Sequence, residues 1–430
     1  MRPAGDRPWA WVPTLYIFEG LPYFIVNTVS VIILKRLGLG NGDVALYTGL
    51  LYLPWVIKPI WSPFIDVIRT KRWWILLAQA LVCSSIWLSL LFIDGEVVAK
   101  GPEFFALLGV FWLMAFSSAT HDIAADGFYM LALNEHEATQ FVGIRNTFYR
   151  IASVFGQGVV VVVAGLLELR TGDVPYAWRI TLLLVSVLLS AIFVWHQYVL
   201  PVPGEDASRG RTGSAKELFG ELGRSFSTFF RRDGIVAALC FMLLYRLPEA
   251  FIIKMINPFF LDPLSEGGLG MTTEDVGLVY GTAGAVALIA GGIIGGLAAG
   301  KWGLRKCLWP MALSLTLPCL VFVWMAFAQP SDLPLVGAGV CLDQFGYGFG
   351  FTAYTLYLMY FSRGEYRTSH YSICTAFMAL SMMIPGMVAG FLQEALGYRW
   401  FFLMVIMCFV ATFISLLFVK VDSEYGKKID

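Results

Sequence analysis

The chain has 430 residues, of which 58% are hydrophobic and 14% are charged, and its mean hydropathy is +0.71. A soluble domain carries about 25% charged residues, so this composition excludes an ordinary soluble enzyme and indicates an integral protein of the lipid bilayer. Thirty basic and thirty acidic residues give a net charge of zero, which provides no basic surface for nucleic acid. The seven cysteines stand singly and the histidines number four, so we expect no metal site and no cofactor.

Twelve apolar segments are long enough to cross a membrane as helices. About 20 residues are needed, because the hydrocarbon core is about 30 Å thick and a helix rises about 1.5 Å per residue. The first segment is longer than the apolar core of a signal peptide and is expected to stay attached as a span. The predicted spans, numbered 1 to 12 below, are 9–34, 44–65, 73–93, 103–131, 141–169, 176–200, 235–261, 273–300, 307–328, 333–361, 368–396 and 400–420.

The long hydrophilic stretch 201–233 separates the first six spans from the last six. Its glycines and prolines precede apolar residues at helical spacing, which predicts a linker with an amphipathic helix on the membrane surface. The predicted domains are a six-helix bundle at 1–200, a cytoplasmic linker at 201–233 and a second six-helix bundle at 234–430. Basic residues concentrate in the linker and in the loops on its side, so the positive-inside rule places both termini in the cytoplasm.

The two halves resemble each other in sequence. Gly20-Leu21-Pro22 in span 1 corresponds to Arg246-Leu247-Pro248 in span 7, and Val163-Ala164-Gly165 in span 5 corresponds to Val388-Ala389-Gly390 in span 11, at the same offset within one residue. Parallel halves with a substrate site at their interface are the arrangement of major facilitator transporters. The sequence therefore predicts an all-α membrane protein with a twelve-span major facilitator fold made of two six-helix halves.

Span 4 contains His121, Asp122 and Asp126 within a long apolar stretch. A charge at the bilayer centre costs at least about 2.5 to 3.5 kcal/mol on insertion scales, and such groups normally face a polar cavity or a partner charge. Asp122 and Asp126 share one helical face, so their repulsion would favour protonation of one carboxylate. Together with Glu19 of span 1 they are the predicted proton-coupling residues, and His121 is expected to be a hydrogen-bonding neighbour.

Each of these acids has a structural alternative, in which it forms an ion pair instead of carrying a proton. Arg145 or Arg150 of span 5 could pair with either aspartate, and Lys58 could pair with Glu19.

Further polar and aromatic side chains of the spans are predicted to bind substrate. They provide both signs of charge and phenol rings, which suit a zwitterionic peptide or a sugar. For each of them, an internal ion pair or core packing is the alternative. The candidates are Arg145, Arg150, Arg246, Glu249, Asp343, Tyr23, Tyr149 and Tyr347.

The loops after spans 2 and 8 carry short charged patterns. The first contains Asp66, Arg69 and Arg72, and the second contains Arg305 and Lys306. We interpret these five residues as a conformational lock that clamps neighbouring helices in one state. The alternative is that they only mark the cytoplasmic side of the membrane.

The signature from Lys58 through Trp61-Ser62-Pro63 to Asp66, with Asp122 and Asp126, resembles the AmpG family of muropeptide permeases over most of the first half. The second half is similar in general layout. This resemblance implies a proton-driven importer that carries anhydro-muropeptides, which are sugar-peptides of the cell wall, across a bacterial inner membrane. Similar permeases take siderophores or acetyl-coenzyme A, so both substrates stay open. We expect the protein to act as a monomer.

An intramembrane enzyme and a ligand sensor are the alternatives from other classes. Membrane lipid transferases also use paired aspartates, but their Asp-Gly-x-x-Ala-Arg pattern is absent after Asp126. The sequence therefore predicts a transporter without catalytic residues.

Overall fold

The computed structural model describes residues 8–93, 101–133, 135–202, 215–363, 367–423 and 425, without the side chains of 63–64, 66–67, 135–140, 142–143, 215–219, 221–222 and 367–368. Helices are the regular elements of this described part, and it contains no strand. The predicted all-α fold class is therefore confirmed.

Helices occupy all twelve predicted span positions. Among the described residues, nine helical segments are long and apolar enough to cross a membrane, and one of them, Ser369–Leu417, contains both span 11 and span 12. Spans 3 and 10 are the helices Lys71–Ser89 and Leu333–Phe361. The first helix begins at polar residues, and the second contains polar residues within it. The helices of spans 1 to 6 are, in order, Pro8–Arg36, Asn41–Leu50 with Leu53–Val67, Lys71–Ser89, Pro102–Ala132, Glu135–Val154 continuing to Val160–Thr171, and Val174–Val199. The helices of spans 7 to 10 are Ile235–Leu244 with Leu247–Leu261, Thr273–Trp302, Leu304–Ala328 and Leu333–Phe361. Spans 11 and 12 together are Arg367–Met407 continuing to Phe409–Leu417.

Gly397 separates span 11 from span 12. Its φ of 73° lies in the left-handed region, which glycine adopts without the steric cost that a Cβ would bring. The chain therefore turns here without a loop, close to the boundary predicted from the sequence.

Several spans contain an irregular turn. Spans 1, 5 and 8 contain π-helical turns at Ile25–Val29, Phe155–Val159 and Gly277–Gly284, and span 7 is interrupted between Leu244 and Leu247. In span 1 the turn follows Pro22, which has no N–H to continue the helical hydrogen bonds. Such π turns are frequent at functional sites.

The chain forms two compact units. Unit 1 comprises Met1–Leu39 and Ile57–Glu221, and unit 2 comprises Gly40–Val56 and Leu222–Asp430. The start of span 2 therefore belongs to unit 2, where it packs on span 11 so closely that a Cβ on Gly390 would lie 2.0 Å from the Asn41 carbonyl oxygen. The predicted domain boundaries at 200 and 234 stay a prediction, because residues 203–214 lie outside the described chain.

The linker contains a helix, Ala215–Phe230, at the predicted place. Its last turn packs on unit 2 through Phe229, whose ring centroid lies 5.7 Å from that of Phe361 and 5.5 Å from that of His370. Phe229 is buried. This end of the helix is thus part of the protein core and does not lie freely on a membrane surface.

Candidate transport site

Spans 2 and 4 are joined inside unit 1 by an ion pair. The Lys58 Nζ lies 2.7 Å from the Asp122 Oδ2, and the two side chains are 22% and 21% exposed. The partner of Asp122 is therefore a lysine of span 2, whereas the sequence had suggested an arginine of span 5. A pair at this depth stabilises both charges, because either one left alone would have to be dehydrated without compensation.

Asp126 forms a second ion pair, with span 5. The Arg145 Nη2 lies 2.7 Å from the Asp126 Oδ1, and the Tyr16 hydroxyl donates a 3.3 Å hydrogen bond to the same oxygen. The Arg145 guanidinium also lies 4.5 Å from the ring centroid of Tyr16 and 5.2 Å from that of Tyr129. Rings at these distances attract a cation through their π faces, so Arg145 is held firmly between its acid and two phenols.

Glu19 is the third acid of this cluster, and it forms no ion pair with a described residue. The residue is 7% exposed, and its Oε2 accepts no hydrogen bond from the described part of the chain. It interacts electrostatically with Asp126, Asp122, Arg145 and Lys58. With all five groups ionised, the three acids and two bases leave one negative charge in excess, and a bound proton would remove that excess.

The local structure of span 1 holds Glu19 against span 5. A Cβ on Gly20 would lie 2.9 Å from the Ala152 Cβ and 3.3 Å from the Tyr149 Cδ2, so the absence of a side chain allows the close approach. Pro22 and the π turn Ile25–Val29 follow immediately. Span 1 therefore stays helical through Pro22 and becomes a π turn from Ile25.

The two predicted tyrosines of unit 1 lie beside Phe24. The Phe24 ring centroid is 5.2 Å from that of Tyr23 and 5.7 Å from that of Tyr149. Arg150 is half-buried and forms no ion pair with a described side chain, so Arg145 is the arginine that the structure pairs with an acid of span 4, Asp126. A substrate role for Tyr23, Tyr149 and Arg150 stays a prediction.

His121 belongs to a buried chain of hydrogen bonds. Its Nε2 lies 3.0 Å from the Gln79 Nε2, the Gln79 amide also contacts the His196 Nδ1 at 2.8 Å, and the His196 Nε2 lies 2.8 Å from the Thr14 Oγ1. This arrangement agrees with the expected role of His121 as a hydrogen-bonding neighbour. The contributions of His196 and Thr14 were missed, because the four residues come from four different spans.

In unit 2 the interruption of span 7 places Arg246 among aromatic rings. Its guanidinium lies 4.5 Å from the ring centroid of Phe351, 5.3 Å from that of Tyr347 and 5.6 Å from that of Tyr354. It also donates a hydrogen bond to the Tyr347 hydroxyl. The structure thus brings together Arg246 and Tyr347, which the sequence had proposed separately as substrate-binding residues.

Glu249 and Asp343 are also close together in unit 2. One carboxylate oxygen of each and the Cys319 Sγ all lie within 4.8 Å of one another. Glu249 is 0% exposed, and neither of its carboxylate oxygens has a hydrogen-bond partner among the described residues. The Asp343 Oδ2 accepts a 3.0 Å hydrogen bond from Gln344.

Lys254 is a buried amine of span 7. It is 2% exposed, its Nζ donates a 3.0 Å hydrogen bond to the Thr48 Oγ1, and it lies 5.1 Å from the ring centroid of Tyr52. Thr48 and Tyr52 belong to the part of span 2 that packs within unit 2.

The model of the Major Facilitator Superfamily matches residues 14–384 of the chain. The chain belongs to the major facilitator superfamily. Membership confirms the predicted fold class and a transporter as opposed to an enzyme, and it makes this a multi-pass membrane protein with a small-molecule substrate.

Curated relatives confirm the resemblance to the AmpG family. "Putative transporter AmpG 4" of Rickettsia felis is 23% identical over 94% of this chain and 95% of its own. "Anhydromuropeptide permease" of Escherichia coli K12 is 24% identical over 96% of this chain and 79% of its own. Among solved structures, a D-xylose-proton symporter superposes with a TM-score of 0.70 at 13% identity, covering 97% of this chain and 98% of that one, which supports the major facilitator fold.

The predicted lock of this major facilitator protein is described in part. The Arg72 guanidinium donates hydrogen bonds of 2.7 and 3.2 Å to the carbonyl oxygens of Gln197 and Leu200, so it clamps the end of span 6 onto the start of span 3. Arg69, Arg305 and Lys306 are exposed. The side chain of Asp66 lies outside the described residues, and the lock therefore stays a prediction.

A second polar network was not anticipated. The Asn41 amide donates to Asp262 at 2.9 Å and to Gln393 at 2.8 Å, and the Tyr398 hydroxyl donates to the same Asp262 oxygen at 2.6 Å. Asn41 begins span 2, Asp262 follows span 7, Gln393 lies near the end of span 11 and Tyr398 lies at the start of span 12. The amide and phenol groups leave the Asp262 charge hydrogen-bonded although the residue is buried.

Proposed function

We propose that the protein is a proton-coupled importer of anhydro-muropeptides that works by alternating access. The observation that carries the coupling is the charge cluster of unit 1, which contains Glu19, Asp122 and Asp126 with the cations Lys58 and Arg145. Intramembrane acids of this kind are typical of proton relays in transporters. The excess of one acid over the bases provides a place for one proton.

Glu19 is the preferred proton-binding residue in this proposal. Asp122 and Asp126 each have a cation at 2.7 Å, whereas the Glu19 Oε2 has no described hydrogen-bond partner. Loss of the proton would leave a third negative charge, and Arg145 would then be shared between Asp126 and Glu19. A proton can drive transport in this way if the two conformational states bind it with different affinity.

Unit 2 provides groups that suit the charges of a sugar-peptide. Arg246 is a planar cation that can bind a carboxylate through two hydrogen bonds, and Tyr347 beside it offers a ring on which a sugar could stack. Lys254 adds a buried amine. The names of the AmpG relatives support the same substrate class.

We place the protein in a bacterial inner membrane with both termini in the cytoplasm. The basis is the positive-inside rule, applied to Arg69, Arg72, Arg305 and Lys306 and to the basic linker. The curated AmpG relatives are bacterial, which supports this location.

The test is uptake by vesicles that contain the purified protein. Labelled anhydro-muropeptide should accumulate when an inward proton gradient is imposed, and an ionophore that collapses the gradient should abolish accumulation. A siderophore and acetyl-coenzyme A are tested in parallel. Accumulation of either one in place of the muropeptide would overturn the substrate assignment, and accumulation that is insensitive to the ionophore would overturn the coupling.

Variants locate the coupling site. Glu19→Gln should lose gradient-driven accumulation but still exchange labelled for unlabelled substrate, because exchange needs no net proton movement. Glu168→Gln is the matched control, since Glu168 is a buried acid of unit 1 that binds Arg36 at 2.9 Å and Trp178 at 2.8 Å, outside the cluster. Wild-type accumulation by Glu19→Gln would exclude Glu19 as the proton carrier.

A further inference from the structure

We propose that Glu249 and Asp343 form a second proton-binding site, in which the two carboxyl groups share one proton. The pair lies in unit 2, on spans 7 and 10, and is separate from the charge cluster of unit 1. The inference goes beyond the proposed function, because it holds whichever substrate the protein carries.

The first argument is the proximity of two acids that are both buried. Their carboxylate oxygens lie within 4.8 Å of each other, and the residues are 0% and 1% exposed. Two carboxylates that share one site repel each other when both are ionised, so one of them takes up a proton. The proton then belongs to the pair and not to either residue.

The second argument is the set of unpartnered oxygens. Both carboxylate oxygens of Glu249 and the Asp343 Oδ1 have no hydrogen-bond partner within the described chain. A buried ionised carboxylate without hydrogen bonds is very costly, whereas a proton between the two acids provides one donor and removes one charge. The unpartnered oxygens therefore favour a protonated pair over two ionised carboxylates.

The other described groups around the pair do not neutralise both of its negative charges. Arg246 of span 7 acts electrostatically on Glu249, but its guanidinium lies among the rings of Tyr347 and Phe351. Tyr280 of span 8 and Cys319 of span 9 also interact with both acids, and as a phenol and a thiol they are neutral groups. Two acids and one arginine leave one negative charge in excess.

A proton fits this site better than a metal ion. Calcium takes six to eight oxygen ligands and magnesium about six, whereas the described residues offer two carboxylates and one thiol within the cluster. A softer metal would favour more cysteine or histidine. A proton needs no more than one or two oxygens, which the pair supplies.

The experiment measures labelling of the full-length protein by dicyclohexylcarbodiimide in detergent micelles, without substrate and without a gradient. This apolar reagent reacts with protonated carboxyl groups in apolar surroundings, and peptide mass spectrometry locates the adduct. We expect labelling of Glu249 or Asp343 at neutral pH, falling about tenfold per pH unit once the shared proton titrates. Glu168 is the internal control and should stay unlabelled, because it is paired with Arg36.

The variant Asp343→Asn tests whether the proton is shared. Removal of the second acid should let Glu249 ionise beside Arg246, so its labelling at neutral pH should decrease several-fold, while Glu168→Gln should leave it unchanged. No labelling of either acid in the wild-type protein, or labelling of Glu249 that Asp343→Asn does not alter, would overturn the proposal. Suppression by sodium ions at constant pH would also overturn it, in favour of a metal-cation site. Because no transport is measured, these outcomes are independent of the proposed function.

Discussion

The ion pair between Lys58 and Asp122 should make a large and measurable contribution to stability. At the observed 2.7 Å, two unit charges attract by about 6 kcal/mol at an effective dielectric constant of about 20, and dehydration offsets much of this. Breaking a buried pair costs about 3 to 5 kcal/mol. Because both side chains are about one-fifth exposed, we expect the lower value, about 3 kcal/mol, for Lys58→Met and for Asp122→Asn alone.

The double variant distinguishes a real pair from two separate effects. With both charges removed, neither member of the pair is left without its partner, so the double variant should lose no more than about 3 kcal/mol, and the coupling energy should reach about 3 kcal/mol. The measurement is unfolding in mixed micelles with increasing dodecyl sulphate, followed by tryptophan fluorescence. Lys58→Met combined with Glu168→Gln is the control and should be additive, because these residues belong to different ion pairs. A coupling energy below about 0.5 kcal/mol for Lys58 and Asp122 would refute the reasoning.

Three further predictions concern unit 2. Gly291→Ala should lower the free energy of unfolding by about 1 to 3 kcal/mol through overpacking, since the new Cβ would lie 2.1 Å from the Phe345 carbonyl oxygen. Gly296→Ala on the same helix is the control: its Cβ would have nothing within 4 Å, so this variant should unfold like the wild type. Equal effects of the two substitutions would contradict this packing. Tyr398→Phe removes the 2.6 Å hydrogen bond to Asp262 and should cost about 1.5 to 3 kcal/mol in the same assay, and an unchanged stability would disprove that contribution. Arg246→Lys keeps the charge but loses the planar stacking, so calorimetric titration should show weaker muropeptide binding; wild-type affinity would place the substrate elsewhere.

Apolar length and periodicity made the spans predictable from the sequence. Each span must place about 20 mostly apolar residues in lipid. Each span can therefore be recognised from its own sequence, even where a polar residue such as Asp343 lowers the hydropathy.

The partners of the charged residues were not predictable in the same way. Lys58 and Asp122 lie on different spans, and nothing local to either residue favours that pair over Glu19 with Lys58 or Asp122 with Arg145. The same holds for Glu249 and Asp343, whose proximity depends on how spans 7 and 10 pack. The residues of the Asn41 network carry no motif, and a polar residue at the end of an apolar run could have been an ordinary interfacial residue.

The most direct test of proton-coupled import is substrate-driven proton movement in vesicles that start without any pH gradient. The vesicles contain the purified protein and an internal pH-sensitive dye, and a downhill gradient of anhydro-muropeptide is applied from outside. We expect the vesicle interior to acidify as substrate enters, and we expect Glu19→Gln to abolish the acidification while Glu168→Gln retains it. Entry of labelled anhydro-muropeptide with no change in internal pH would contradict the proposed coupling.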